Sequence, residues 1–413
     1  MQRRLSTTDA VVLGLAAMLG AGVFAVWGPA AAAAGAWLLL AVALAGIVAA
    51  CNAASTSDLA VAHPESGGGF VYGREQLCPG VGRLAGVAFL VGKSASAAAA
   101  AGVFGSYVLP SDPVPAGLAA VAVATVLNSA GVRWTARGAY ALVGGTIAVL
   151  LVVVGAGLLG TSAVVVPSAA QPVQPVVITH DGGPLGVLTA TGLLFFAFAG
   201  YARIATLGEE VRNPARTLRR AIGIALGITF TIYVLVAIAL LVGLGPARLA
   251  SETAPLVVLV DAGTAPALGV LVRVGAAVAA GSALLTVLVG LSRTTLAMAR
   301  RGELPRPLAT IGSRGTPWRA DVLGGLVAIG VSVLAGPAAA IALSACSLLV
   351  YYAVINLAAL RLPAAMRRWP AWTAVLGLVM CVGLAVLLPL PQVLITAATL
   401  LVAWIVCTLF VHR

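Results

Sequence analysis

Long apolar runs recur along the whole chain, and they constrain its fold more than any other feature. A membrane-spanning helix needs about 20 predominantly apolar residues. Hydrophobic residues make up 61% of the chain and charged residues only 9%, whereas a soluble domain carries roughly 25% charged residues. Twelve apolar runs can be read, at 9–32, 36–60, 84–108, 115–130, 138–160, 185–208, 219–243, 264–299, 320–336, 338–359, 371–388 and 392–411. The sequence predicts an all-α polytopic membrane protein with twelve transmembrane helices.

The basic residues are unevenly distributed among the loops. Arginines occupy alternate loops, from Arg3 and Arg4 at one end of the chain to Arg413 at the other. The opposite loops hold the acidic residues Asp112, Asp181, Glu252 and Asp261. Because cytoplasmic loops carry the excess of Lys and Arg, we expect a multi-pass protein of the bacterial plasma membrane with both termini cytoplasmic. The net charge of +12 then sets orientation in the lipid bilayer, and no nucleic acid partner is expected.

Cysteine and histidine positions exclude other functional classes. The cysteines lie in the apolar runs or on the predicted cytoplasmic side, at positions 51, 78, 346, 381 and 407, so no disulfide is expected. An enzyme embedded in the membrane would need His, Asp or Glu clustered within the spans. His63, His180 and His412 lie in loops or at the terminus. We therefore expect neither enzymatic activity nor a cofactor.

Two of the runs carry glycine-containing interruptions at their centres. The first reads "LAAMLGAGVFAV", with Gly20 and Gly22, and the sixth reads "LLFFAFAGYARIA". Each glycine weakens a helix by about 1 kcal/mol relative to alanine. Interrupted helices at corresponding positions of two halves are typical of a transporter whose site lies at the midplane.

The proline-rich segment after the fifth run divides the first ten predicted helices into two sets of five. An odd number of helices in each half inverts one half relative to the other. We predict a first inverted repeat at 1–160, an extracellular connection at 161–184, a second repeat at 185–360 and two peripheral helices at 361–413.

Four segments, in order along the chain, resemble the amino acid, polyamine and organocation (APC) transporters. They are "GAGVF", "ESGGGFVYGRE" from 65, "FFAFAGYARIATLGEEVRNPARTLRRAI" from 195 and "GLSRTTLAMARRGELPRPLATIGSRGTPWRADVL" from 290. The resemblance implies a five-plus-five inverted repeat, shared with sodium-coupled amine transporters, in which helices 1 and 6 are broken and two peripheral helices follow. It also implies a secondary transporter with a small-molecule amino acid substrate.

The backbone at the two breaks matches the charges of an amino acid. Unwound backbone in a membrane needs hydrogen-bond partners, and a helix N-terminus attracts a carboxylate. We assign the substrate carboxylate to Gly20, Ala21, Gly22 and Val23. The ammonium is assigned to the carbonyls of Met18, Phe195, Phe196 and Phe198. The alternative is that Gly20 and Gly22 form a close-packing surface between helices.

The resemblance also implies roles for side chains near the sixth break. It places a gating aromatic at Phe196, for which the alternative is an ordinary core or lipid-facing phenylalanine. Ala199 and Ala202 would face the side-chain pocket or the route below it.

Three basic side chains lie within the spans, where a central charge costs at least about 3 kcal/mol. Lys93 lies nine residues into the third run, about 14 Å deep at 1.5 Å per residue. We expect it to serve substrate binding or coupling, against the alternative of a buried structural cation. Arg203 either snorkels or latches an inner gate to Glu209 or Glu210. Arg273 is expected to protrude from a long span.

No acid lies deep in the third, sixth, eighth or tenth span, so a cationic side chain would find no counter-ion. A neutral, apolar amino acid fits best, an acidic one is second, and a polyamine is disfavoured. A non-transporting receptor stays an alternative. Coupling to protons or sodium, or exchange without an ion, is left open, with Ser282 and Thr286 as sodium-ligand candidates. The direction of transport also stays open.

The resemblance departs at "TLRRAI". Many relatives have a proline before the second arginine, where this chain has Arg219. We interpret this as an altered helix start.

Overall fold

The computed structural model describes residues 5–63, 65, 67–131, 136–159, 182–205, 211, 213–263 and 266–411. The first half of the described chain contains helices α1 Thr7–Met18, α2 Ala21–Ala25, α3 Trp27–Ala34, α4 Leu38–Ala62, α5 Gly69–Gln76, α6 Pro79–Val108, α7 Pro113–Ser129 and α8 Ala136–Leu159. The second half contains α9 Pro184–Phe198, α10 Ala202–Ala205, α11 Pro214–Ser251, α12 Pro255–Asp261, α13 Gly269–Arg300, α14 Trp318–Leu334, α15 Pro337–Arg361, α16 Ala371–Leu387 and α17 Leu390–Val411. Most of the predicted connection at 161–184, together with Glu209, Glu210 and Arg212, lies outside the described residues.

Each of the twelve apolar runs coincides with one helix or a broken series of helices. Within the described residues, nine helical stretches are long and apolar enough to cross a membrane. The structure adds two short helices, α5 and α12, that the runs do not predict. The glycine-rich segment at 65–75, one of the four that resemble the family, becomes helical from Gly69 onward.

The first run is a helix interrupted at the predicted position. Ser6 begins α1 with a capping box, in which its hydroxyl accepts from the Asp9 N–H at 3.2 Å and its own N–H donates to the Asp9 carboxylate at 2.9 Å. Helix α1 ends at Met18, and the chain bends over Leu19 and Gly20 before α2 begins. No side chain caps the N-terminus of α2, so the helix leaves its first N–H groups without a side-chain partner.

The sixth run is interrupted more tightly. Helix α9 ends at Phe198, a 3₁₀ turn covers Ala199–Tyr201, and α10 begins at Ala202. The tighter turn keeps some carbonyls paired, because the Ala199 N–H donates to the carbonyls of Phe195 and Phe196.

Helix α6 lies at the centre of the described bundle because one of its stretches carries only small side chains. Ala97, Ala99 and Ala101 are fully buried. Helix α7 approaches so closely that a Cβ added at Gly117 would lie 2.7 Å from the Ala101 carbonyl oxygen. Small residues allow this approach between membrane helices.

A buried amide pair joins α4 to α15. The Asn356 side-chain amide donates to the Asn52 side-chain oxygen at 2.6 Å, and the Ser55 hydroxyl donates to the Asn356 oxygen at 2.7 Å. Polar groups in an apolar interior must be paired, so this cluster fixes α15 against α4 and positions the tyrosines that α15 carries.

Arg219 does more than alter a helix start, so that interpretation is wrong. Helix α11 begins at Pro214, upstream of Arg219. The Arg219 guanidinium donates to the Asp58 carboxylate at 2.9 Å, and Asp58 is 3% exposed. The same carboxylate accepts the N–H groups of Arg368 and Trp369. Arg219 neutralises a buried acid that joins three parts of the chain.

We expect Gly117→Ala to lower the free energy of unfolding by about 1 to 3 kcal/mol, because the added methyl group collides with backbone that cannot rotate away. Thermal unfolding in detergent measures the effect. Gly144→Ala is the matched control, since a Cβ at Gly144 meets nothing within 4 Å. Equal melting temperatures for the two variants would contradict the close contact of α6 with α7.

Candidate functional site

The two helix breaks touch each other. A Cβ added at Gly200 would collide with the Ala17 carbonyl and lie 2.6 Å from the Met18 nitrogen. A Cβ added at Gly22 would lie 2.8 Å from the Ala197 Cα. Glycine at these two positions is thus required for the contact between the interrupted helices. The alternative interpretation of Gly22 was close packing between helices. In this structure Gly22 does pack closely against Ala197, and it does so at the break itself.

A tyrosine of α11 bridges the two breaks. The Tyr233 hydroxyl lies 2.6 Å from the Met18 carbonyl oxygen and 3.1 Å from the Ala197 carbonyl oxygen. The Met18 carbonyl, which we assigned to the substrate ammonium, therefore has a protein partner here. Ala197 supplies the second carbonyl, and the sequence interpretation had not included it.

A cavity of about 110 Å³ adjoins the breaks. Its size is comparable with the roughly 150 Å³ cavity that holds one benzene molecule, so it accommodates a ligand of a few heavy atoms. Ala17 and Gly200 contribute wall from the two breaks. The remaining wall is formed by Thr56, Gly67, Gly68, Tyr72, Phe89, Lys93, Ala202, Arg203, Ala205, Ala283, Thr286, Val287, Gly290, Arg293, Thr294 and Tyr351.

The cavity collects some of the residues selected from the sequence and not others. Lys93, Ala202, Arg203 and Thr286 line it. The backbone set at the breaks does not line it and is buried: Met18, Gly20, Ala21, Gly22, Val23, Phe195, Phe198 and Ala199. A ligand in this cavity would reach the breaks only through the neighbouring positions Ala17 and Gly200.

The three phenylalanines of the sixth run have three different environments. The Phe195 ring packs edge-on against Tyr352 at 5.4 Å, and the Phe198 ring against Tyr233 at 4.8 Å. Phe196 is half-buried, and its ring atom Cε1 lies 3.6 Å from the position of a Cβ on Gly22. Phe196 thus lies beside the first break and outside the cavity wall.

The cavity wall is rich in positive charge. Lys93, Arg203 and Arg293 line it, and no acid is among the described residues of the wall. The Lys93 ammonium lies 5.7 Å from the centre of the Phe89 ring, a distance at which a cation and an aromatic face attract. Neither Lys93 nor Arg293 forms an ion pair within the described part of the chain.

The acids on neighbouring segments are bound to other arginines. Glu303, 1% exposed, accepts from Arg74 at 2.8 Å and also from Arg83. Arg301 binds Glu65 at 3.2 Å and Glu75 at 3.1 Å. None of these arginines lines the cavity, so the acids compensate charges elsewhere.

The glycine-rich segment before α5 has a defined role in the wall. The Gly69 N–H donates to the Tyr351 hydroxyl at 2.9 Å, and a Cβ at Gly69 would collide with the Tyr351 ring. Gly68 adopts a φ of +54°, a conformation that favours glycine. Next to this contact, burial raises the pKa of Tyr72 above its ordinary value, so Tyr72 contributes a neutral hydroxyl.

The remaining candidate groups are bonded locally. The Ser282 hydroxyl donates to the Ala279 carbonyl and the Thr286 hydroxyl to the Ser282 carbonyl, each at 2.9 Å. Arg273 forms a half-exposed ion pair with Asp261 at 3.1 Å, as expected for a protruding side chain. In the part of the chain that the structure describes, no group of three or more His, Cys, Asp or Glu side chains could hold a metal ion.

The sequence interpretation missed Tyr233, Tyr351 and Arg293. Tyr233 and Tyr351 are hydroxyl-bearing aromatic residues inside apolar runs, and a buried tyrosine usually has a hydrogen-bond partner. That signal marks them as candidates but does not identify their partners, because Met18 lies 215 positions from Tyr233 and Gly69 lies 282 positions from Tyr351. Arg293 lies within a segment that resembles the family, but the sequence interpretation assigned no role to its side chain.

Comparison with known proteins identifies the class. The family profile described as "Amino acid permease" matches residues 5–411. An uncharacterized transporter of Mycobacterium tuberculosis is 47% identical over 401 residues, which cover 97% of this chain and 89% of that protein. The chain belongs to the amino acid permease family, and it is a transporter with several membrane-crossing helices.

More distant relatives are named for different substrates. The methylthioribose transporter of Bacillus subtilis is 27% identical over 359 residues, covering 80% of this chain and 75% of that protein. A branched-chain amino acid permease of the same organism is 27% identical over 339 residues, covering 75% and 70%. Family membership therefore does not select the substrate.

We expect a cysteine at Ala202, in the cavity wall, to react with a small thiol reagent in the Cys78→Ser background, which removes the one exposed cysteine. Ala199→Cys is the control, since Ala199 is one turn away and 2% exposed, and a buried thiol is inert. Mass spectrometry measures the labelled fraction. Labelling of Ala199→Cys with Ala202→Cys unlabelled would contradict the cavity as described.

Proposed function

We propose that this protein is a secondary transporter that moves a neutral, apolar amino acid across the plasma membrane by alternating access, and that it is not an enzyme. The contact between the two helix breaks, next to a cavity, carries the proposal. Interrupted helices that meet in a membrane protein supply the backbone groups that bind a zwitterion. The substrate, the coupling and the direction go beyond what family membership establishes.

The proposed architecture has twelve spans in a five-plus-five inverted repeat with two peripheral helices. Two observations support it. The interrupted series α1–α3 and α9–α10 occupy corresponding places at the start of each half. Helix α17 is the candidate span with the smallest buried share, at 17%, as expected of a peripheral helix.

For substrate recognition, we propose that the start of α2 takes the carboxylate and that carbonyls at the ends of α1 and α9 take the ammonium. The uncapped N-terminus of α2 supports the first assignment, because free N–H groups and the helix dipole favour an anion. For this binding to occur the breaks must separate, since Gly22 lies against Ala197 and Gly200 lies against Ala17 in this structure.

The positive charge of the cavity wall limits which substrate side chains can bind there. Lys93, Arg203 and Arg293 would repel a cationic amino acid or a polyamine. A neutral side chain fits the largely apolar remainder of the wall. An acidic amino acid is the second candidate, and the observation that favours it is that Lys93 and Arg293 form no ion pair among the described residues.

We propose that this structure represents an inward-facing state. Arg293, Gly67 and Gly68 belong to the end of the bundle predicted to be cytoplasmic, and they line the cavity. Beyond the breaks, Phe24 and Trp27 are fully buried, and the Tyr107 hydroxyl donates to the Phe24 carbonyl at 3.1 Å. This packing supports a closed outer side.

Counterflow of labelled leucine and alanine into proteoliposomes tests the function, with and without a proton or sodium gradient. We expect exchange by the native protein and none by Gly22→Leu, because the larger side chain would occupy the space at the start of α2 in which the carboxylate is proposed to bind. Gly144→Leu is the control, since the space around Gly144 is open. If no amino acid moves while the protein stays folded, the substrate assignment is wrong. Movement of glutamate alone would select the second candidate.

For Lys93 we expect Lys93→Met to slow transport at least about tenfold, equivalent to about 1.4 kcal/mol, because the cavity loses its deepest charge. Lys93→Arg keeps the charge and is the control. If Lys93→Met raises the KM and transport still depends on the ion gradient as before, Lys93 serves substrate binding. If transport no longer depends on the gradient, Lys93 serves coupling. Unaltered kinetics in Lys93→Met would show that Lys93 is a structural cation.

A further inference from the structure

Tyr233 occupies an unusual position among the buried tyrosines of the bundle. Its hydroxyl lies between the carbonyl that ends α1, at Met18, and the Ala197 carbonyl near the end of α9. Tyr233 is 0% exposed. One turn earlier on α11, the Thr229 hydroxyl lies 3.7 Å from the Met18 sulfur. Helix α11 therefore contacts the first break through two side chains on one face.

The hydroxyl is held there by ring packing as well as by hydrogen bonds. The Tyr233 ring packs edge-on against Trp27 at 6.0 Å and against Phe198 at 4.8 Å. Trp27 belongs to the first interrupted series and Phe198 to the second. The oxygen thus stays between the breaks even when a hydrogen bond is lost.

The Tyr233 hydroxyl has fewer donors than there are acceptors beside it. A tyrosine hydroxyl has a single proton, whereas two carbonyl oxygens lie within hydrogen-bond distance of it. A proton that bonds strongly with the Met18 carbonyl at 2.6 Å serves the Ala197 carbonyl only weakly at 3.1 Å. A group with more donors could bond strongly with both carbonyls.

An ammonium group carries three donors and a charge, and charge-assisted hydrogen bonds are about twice as strong as neutral ones. It could serve both carbonyls at once. The Met18 carbonyl is also one of those that the sequence assigns to the ammonium of the substrate. Tyr233 and a substrate ammonium therefore compete for the same acceptor.

We propose that the Tyr233 hydroxyl stands in for the substrate ammonium in the empty transporter, holding the two breaks together until an amino acid displaces it. This inference rests on the proposed function, since it takes the displacing group from an amino acid. Tyr233 is a positioning residue that acts through the backbone of the two breaks. Its loss should loosen both breaks together and remove a competitor of the substrate.

Two measurements on Tyr233→Phe test the two parts. The first needs no substrate: hydrogen–deuterium exchange of the backbone amides around both breaks. Loss of one hydrogen bond should raise local exchange about fivefold at 17–22 and at 197–202. Tyr107→Phe is the matched control, because Tyr107 is equally buried and bonds one carbonyl of the first series, that of Phe24. It should not alter exchange at 197–202.

The second measurement is the affinity of the purified full chain for leucine and for 4-methylpentanoate, which is leucine without its amino group. Removal of the competing hydroxyl should tighten leucine binding about fivefold and leave 4-methylpentanoate binding unchanged. If Tyr233 only supported the structure of the site, Tyr233→Phe would instead weaken the binding of both ligands. Weaker leucine binding in Tyr233→Phe, or an equal change in affinity for the two ligands, would overturn the proposal that the ammonium displaces the Tyr233 hydroxyl.

The exchange measurement separates failure of this inference from failure of the proposed function. If native protein binds no amino acid while Tyr233→Phe still raises exchange at both breaks, the substrate assignment is wrong. The bridge that the Tyr233 hydroxyl forms between the Met18 and Ala197 carbonyls is then still supported. Unchanged exchange at both breaks in Tyr233→Phe overturns the bridge, whatever the substrate.

Discussion

The contact between the two interrupted helices depends on hydrogen bonds that their own backbones cannot make. A carbonyl freed by a helix break in a membrane must find a partner, and Tyr233 supplies one for Met18 and Ala197. The breaks can approach Tyr233 together only because Gly22 and Gly200 lack side chains. The cavity, the buried aromatic residues and the approach of α11 are all arranged around this contact.

The buried acids and the basic residues of the cavity wall lie in different parts of the described protein. Asp58 and Glu303 are buried, and each is bound to an arginine that lies outside the cavity wall. These pairs connect helices far apart in sequence, so they stabilise the end of the bundle that carries the cavity. Lys93 and Arg293, which line the cavity, have no such partner among the described residues.

Much of this organisation follows from local sequence. Apolar runs predict where the long helices lie because length and hydropathy are properties of a segment alone. Gly20 marks the first break for a similar reason. The role of Arg219 could not be predicted in this way, since its partner Asp58 is 161 residues away. The same holds for Tyr351, whose hydroxyl reaches Gly69 across 282 residues.

By itself, the sequence determined the membrane class, the helix positions and the places where two helices break, because each depends on hydropathy and glycine within a short window. Only the tertiary structure decided that the breaks touch, that Tyr233 lies between them, and that Lys93 shares a cavity with Arg203 and Arg293. Those features depend on contacts between distant segments, and close packing selects the partners.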